Sequence, residues 1–260
     1  MNNNREWRDL ACEAMESFPF GVESEEYIHC TLTRAKVDGA GARLISKPEG
    51  RYVSLMFAQP SVLDSEAVEE LKSLLAGELC RMSRENDVDE NAAVLVAGLG
   101  NYLVTFDRLG MVACEGIAPD GEKSFVFRAE VEAKSGIKSA EAIRSIAKLV
   151  GAGLVIAVDS LVARDAERVQ RVIQLADSGI SPGSGVGKHQ KALDSESVGI
   201  PVIAVGAPLA SAVEDRLTVC GDLFFASEII GGIIGGAISR FLEQRKPKSE
   251  LKTNKKAENS

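Results

Sequence analysis

From residue 92 onward, short apolar runs alternate with amphipathic stretches. AAVLVAGL (92–99), GLVIAVDSL (153–161) and IPVIAVGAP (200–208) are almost continuously hydrophobic. Runs of this length without polar alternation fit strands covered on both faces, as in a parallel sheet. RVIQLAD (171–177) offers a further strand between the second and third. KSAEAIRSIAKLVGAG (138–153) has helical periodicity, with Ser139 as its expected N-cap and Gly151 or Gly153 as its stop. Helical patterns are expected again over 208–219 and 222–244.

The first ninety residues are patterned differently. YIHCTLT (27–33) and RYVSLMF (51–57) read as strands, and LDSEAVEELKSLLAGELCRM (63–82) as a helix. In that helix Leu71, Leu74, Leu75 and Leu79 recur at three- and four-residue spacing and form one core-facing stripe. Together the pattern predicts an α/β fold, a three-layer sandwich with a mainly parallel central sheet. Residues 1–244 are expected to form one domain, with N-terminal strands and a helix over 1–90 and a βα core over 91–244. The basic stretch 245–260 is expected to be a disordered tail.

The segment IIGGIIGGAI (229–238), bounded by Glu228 and Arg240, is shorter than the ~20 apolar residues of a membrane span. Its glycine pairs, Gly231 with Gly235 and Gly232 with Gly236, permit close backbone approach, either within the molecule or between subunits.

Composition narrows the function classes. The 260 residues are 45% hydrophobic and 26% charged, with a net charge of −8. That balance disfavours broad attraction to nucleic acid or to an anionic membrane, so neither is expected as a direct partner. Five cysteines without a CxxC pair form neither a disulfide framework nor a zinc knuckle, and point to a reducing cytoplasm. The N-terminal stretch has no apolar core of a signal peptide. His29 and His189 are too few for a histidine-rich metal site, and no metal or cofactor is expected.

ISPGSGVGKHQKAL (180–193) invites a phosphate-loop reading, which fails. Pro182 stands where the first glycine belongs, and His189 stands where a hydroxyl ligates magnesium. Ser184 is not in a nucleophile elbow, because Pro182 and Val186 occupy the flanking glycine positions. GLGNYL (98–103) lacks the third glycine of a dinucleotide fingerprint.

Carboxylates are the sharper signal. Asp159 closes an apolar strand, where open α/β sheets place their active sites and where an aspartate can equally cap a following helix. Asp107 lies in the loop after the first strand, just before a helix. If the two strands are neighbours, both carboxylates open on one edge. Two close carboxylates share a proton and supply one base and one acid. Arg108 is expected to set a cation beside Asp107, favouring its ionised form.

Three stretches carry a resemblance. GLGNYLVTFDRLG (98–110) resembles GLGN-x-x-VTPDALG, AVDSLVAR (157–164) resembles IDALAAR, and IQLADSGISPGSGVG (173–187) precedes GIPVIAVGAP (199–208). With weaker echoes at RDLACEA (8–14) and EGRYVSL (49–55), the chain is similar to the germination protease family of spore-forming bacteria. The resemblance implies a cytoplasmic endopeptidase that cuts small acid-soluble spore proteins when dormancy ends. It implies a fold similar to hydrogenase-maturation peptidases, and a homo-oligomer, a tetramer made as a zymogen. It also implies an unusual aspartic-type mechanism whose two carboxylates fall on Asp107 and Asp159.

Asn101, Asp177, Gly183, Ser184, Gly185 and Lys188 are candidate substrate-binding or loop residues. The amides near 183–187 either bind substrate backbone or form a structural turn. Two alternatives stand beside this reading. One is a catalytically silent or re-targeted binding and assembly protein. The other is a nickel-dependent maturation peptidase using Glu115 or the aspartates with a histidine.

Overall fold

The computed structural model describes residues 10–15, 21–45, 47–181, 192–213, 216–219 and 221–246. Its strands are β1 Val22–Glu26, β2 Cys30–Val37, β3 Gly50–Phe57, β4 Ala93–Gly100, β5 Ser124–Glu130, β6 Ala152–Ala163, β7 Val172–Ala176, β8 Val202–Val213 and β9 Arg216–Thr218. The α-helices are α1 Ala11–Met15, α2 Gly39–Ile45, α3 Ser65–Glu85, α4 Leu109–Glu115, α5 Glu132–Ser135, α6 Ser139–Leu149, α7 Ser195–Val198 and α8 Leu223–Gln244.

Among the described residues, nine strands join one sheet in the order β1-β2-β3-β7-β8-β6-β4-β5, with β9 paired to β8. The apolar runs beginning at 92, 153 and 200 supply β4, β6 and β8, which with β5 form the parallel core. An antiparallel wing of β1, β2, β3 and β7 extends this core on the β8 side. The outermost strand of the wing reads VESEE, a charged edge that resists pairing with another chain.

Helices cover both faces, which gives the expected three layers. On one face α3, α4 and α8 pack over Leu55, Val96, Ile156, Val158, Ile173 and Val205. The stripe of α3 is buried as its spacing requires, and Asp64 caps the helix by accepting from the Ala67 amide at 2.8 Å. On the other face α6 and α7 cover Leu95, Ala97, Val155 and Val202. There α1 and α2 cover the wing, Ala11 and Ile45 packing with Ala35, Val37, Tyr52 and Ala176.

By length and composition α8 could cross a membrane, but half of its apolar window is buried inside the protein. Its glycine pairs serve intramolecular packing on one side: a Cβ on Gly231 would lie 2.6 Å from Val112 Cγ1, and one on Gly235 would lie 2.4 Å from the Ala113 carbonyl. The α4 and α8 backbones therefore meet closely.

Several local expectations are corrected. Residues 208–213 continue β8 instead of starting a helix, because Pro208, Ala210 and Ser211 pair with Leu161, Val162 and Ala163 of an equally long β6. Tertiary pairing overrides the helical propensity of that alanine-rich stretch. The strand expected at 27–33 is displaced to Cys30–Val37, since Tyr27–His29 belong to the β1–β2 turn, closed by the Tyr27 amide on the Cys30 carbonyl. Ser139 is the first helical residue of α6 and not its cap, its hydroxyl donating to the Glu130 carbonyl at 3.3 Å. Gly151, at φ +63°, ends that helix as expected.

Candidate active site

The loop after β4 is folded by its own backbone. Gly100 has φ +117°, and a Cβ there would lie 2.0 Å from the Asp107 carbonyl oxygen. That oxygen accepts the Asn101 amide at 2.8 Å, and the Asp107 amide donates to the Val104 carbonyl at 2.8 Å. Asp107 thus ends a 3-10 turn, Thr105–Asp107, clamped on both sides of its Cα. Asn101 organises the same loop, its Oδ1 accepting from the Leu103 amide at 3.1 Å.

Immediately after the turn, α4 begins against the strand ends. A Cβ on Gly110 would lie 2.3 Å from the Val158 carbonyl and 2.4 Å from the Leu99 carbonyl, so the helix start sits directly over β4 and β6. The Leu109 amide donates to Ser160 Oγ at 3.3 Å. Asp107 precedes Leu109 by two residues and Asp159 precedes Ser160 by one, so this bond ties the two aspartate-bearing segments together. Gly98 pairs with Val158, which sets Asp159 at the level where β4 ends.

Asp159 does not close its strand. It lies four residues inside β6, 5% exposed, and no helix follows for it to cap. Its Oδ1 accepts from the Ser160 amide at 2.8 Å. Successive side chains alternate across a sheet, so Asp159 projects to the face opposite Ser160 and α4.

On that face Asp159 shares a level with residues of three more strands, since it pairs with Gly206, Gly206 pairs with Gln174, and Gln174 pairs with Ser54. Gln174 and Ser54 are each 7% exposed. Gln174 Oε1 accepts from the Ala11 amide at 2.6 Å, which brings α1 over this buried polar row. The sequence did carry a signal for them: each is a polar residue interrupting an apolar strand, in RVIQLAD and RYVSLMF.

The remaining candidates are distributed differently. Asp177 follows β7, which runs antiparallel to β8, and lies about 10 Å along the sheet from the level of Asp159. Its carboxylate accepts from the Arg51 amide at 2.6 Å, the Arg51 guanidinium at 2.9 Å and Asn86 Nδ2 at 3.1 Å. These bonds join β3 to the end of α3. Gly183, Ser184, Gly185, Lys188 and His189 lie outside the described residues. Glu115 sits at the far end of α4 from Asp107, 4.0 Å from Arg128. His29 lies 3.8 Å from Glu70 on the opposite wing.

Arg108 differs from expectation. Its guanidinium forms an ion pair at 2.7 Å with Glu228 of α8, not with the neighbouring Asp107, and the side chain is 2% exposed.

A family model described as germination protease matches residues 2–225. The chain belongs to the germination protease family. The match spans both aspartates, the polar row and the start of α8. Germination proteases of Priestia megaterium and Bacillus subtilis are 32% and 35% identical to it, over 88% and 70% of this chain. The chain spans 64% of the length of the first of these proteases and 52% of the second. The germination protease of Clostridium acetobutylicum is 34% identical, over 84% of this chain and 71% of that protein. Among solved structures, the NiFe hydrogenase maturation protease HycI from Thermococcus kodakarensis aligns with a TM-score of 0.40 at 16% identity, over 62% of this chain and 99% of that one.

Proposed function

We propose that this chain is an endopeptidase of spore germination in which Asp107 and Asp159 divide the acid and base work. The supporting observation is the Leu109–Ser160 hydrogen bond, which ties the turn after β4 that bears Asp107 to the part of the adjacent parallel strand β6 that bears Asp159. One carboxylate takes a proton from water as the water oxygen bonds to the scissile carbonyl carbon. The other, protonated, gives its proton to the amide nitrogen as the C–N bond breaks.

The substrate class is small acid-soluble spore proteins, cut in the cytoplasm of the spore by a homo-oligomer without metal or cofactor. Membership of the germination protease family supports this reading.

The test is to assay Asp107→Asn and Asp159→Asn separately on a purified spore protein, following the cut by mass. Each variant is expected to lose activity by at least about 1000-fold, as removal of a reacting group from an interdependent pair does. Activity preserved in either variant removes the pair. Wild-type chain that binds the spore protein and leaves it intact makes it a binding protein instead. Loss of activity on chelation, restored by nickel, moves the reading to a metallopeptidase.

A further inference from the structure

Arg108 has the largest side chain buried almost completely among the described residues, and it lies next to a candidate catalytic group. Its guanidinium is enclosed on several sides. Nη2 donates to Glu228 Oε1 at 2.7 Å, and Nη1 reaches Ser227 Oγ at a long 3.4 Å. The plane sits 4.7 Å from the ring centre of Tyr102 and 4.2 Å from that of Phe224. Tyr102 belongs to the loop that carries Asp107, whereas Phe224, Ser227 and Glu228 belong to the first turns of α8. Both rings are themselves substantially exposed, so the stack forms part of the surface beside this loop.

Beside this contact, Phe106 of the same turn packs against the hydrophobic cluster to which Ile230 and Ile234 of α8 belong. Backbone hydrogen bonds within the loop join Asn101, Val104 and Asp107. The 3-10 turn has no side-chain cap, and neither does α4, whose N-cap position is Arg108 itself. A planar guanidinium can donate to a carboxylate at its edge while stacking on rings with its faces, and lysine cannot reproduce both contacts. Arg108 therefore joins three elements at once: the Asp107 turn, the start of α4 and the start of α8.

We propose that Arg108 is a positioning residue, holding the Asp107 turn against α8 through Glu228 and the Tyr102–Phe224 stack. This rests on the reading of Asp107 as a reacting group. The clamp acts on geometry: its cation is offset by Glu228, and the part of the loop it fixes is the one whose displacement would move the Asp107 carboxylate away from the scissile bond.

The experiment compares Arg108→Met, Arg108→Lys and Glu228→Gln with Arg34→Met, which breaks a part-buried ion pair to Glu78 on the far wing. Steady-state kinetics on a spore protein are measured well below every unfolding midpoint, and hydrogen exchange is followed at the Asn101 and Asp107 amides. Arg108→Met is expected to lower kcat about 10- to 100-fold with KM within about twofold. Exchange at the two amides should rise by at least about tenfold, and Arg108→Lys should recover part of both. Arg34→Met should lower the unfolding midpoint and move neither readout. Wild-type kcat and exchange in Arg108→Met, or the same changes in Arg34→Met, would overturn the proposal. If Asp107→Asn and Asp159→Asn keep their activity, the active-site reading fails, while the exchange data still decide whether the clamp exists.

Discussion

Gly100→Ala tests the most tightly specified contact near the site. The new methyl group would lie 2.0 Å from the Asp107 carbonyl oxygen and 3.1 Å from its carbonyl carbon. Ordinary contact begins near 3.4 Å, so the turn must retreat by more than an ångström or the strand end must deform. Both neighbours are backbone, and no flexible side chain can swing aside. The φ of +117° adds strain of about 1–3 kcal/mol for a residue with a Cβ. Overpacking adds about 1–3 kcal/mol more, offset by at most about 1 kcal/mol from the lower entropy of the unfolded chain. Taking the middle of each range, the net loss is about 3–4 kcal/mol.

The assay is urea unfolding monitored by circular dichroism, with stability taken from the midpoint shift at constant m-value. Displacement of Asp107 by about an ångström should also lower kcat about 100-fold in the folded variant. A variant within 1 kcal/mol of wild type, with unchanged kcat, would mean that the loop relaxes without moving Asp107. The close approach would then place nothing.

Three further outcomes are expected. Gly232→Ala, on α8 where nothing lies within 4 Å of the added methyl group, should stabilise the protein by about 0.5–1 kcal/mol in the same urea assay. Asp120 experiences burial that raises its pKa, outweighed by the Glu122, Ser124 and Lys123 amides and the Ser124 hydroxyl, which leave it at about 2 against an ordinary 3.8. Because the folded value is depressed, its contribution is complete above 3.8 and disappears as pH falls through about 2. The stability gap between wild type and Asp120→Asn should therefore close over that window, and a gap that widens there would contradict the assignment. Burial lifts the Cys30 and Cys114 thiols to about 11, with Glu70 and Glu26 adding to the effect at Cys30. At mildly alkaline pH, iodoacetamide should reach both only at the rate of unfolding, as mass spectrometry of time points would record.

Local chemistry made much of this molecule legible from its residues. The stripe of Leu71, Leu75 and Leu79 gave α3, the apolar runs gave the cores of β4, β6 and β8, and Gly151 ended α6. These are properties of a segment and its own burial pattern, so a periodic sequence can specify them. The stretch around Asp107 was equally recognisable, because its glycines, Gly98, Gly100 and Gly110, are required by close backbone approach.

What the residues alone did not specify depends on partners distant along the chain. PLASAV (208–213) extends a strand only because β6 is there to pair with it. Gln174 and Ser54 join the level of Asp159 only through the register of β3, β7, β8 and β6. Arg108 looked like a cation beside Asp107, yet it turns to Glu228, 120 positions further along the sequence. Periodicity reports whether a position is buried. Which group covers it, and which strand lies beside it, is decided by long-range packing, and the surroundings of both aspartates are built from such contacts.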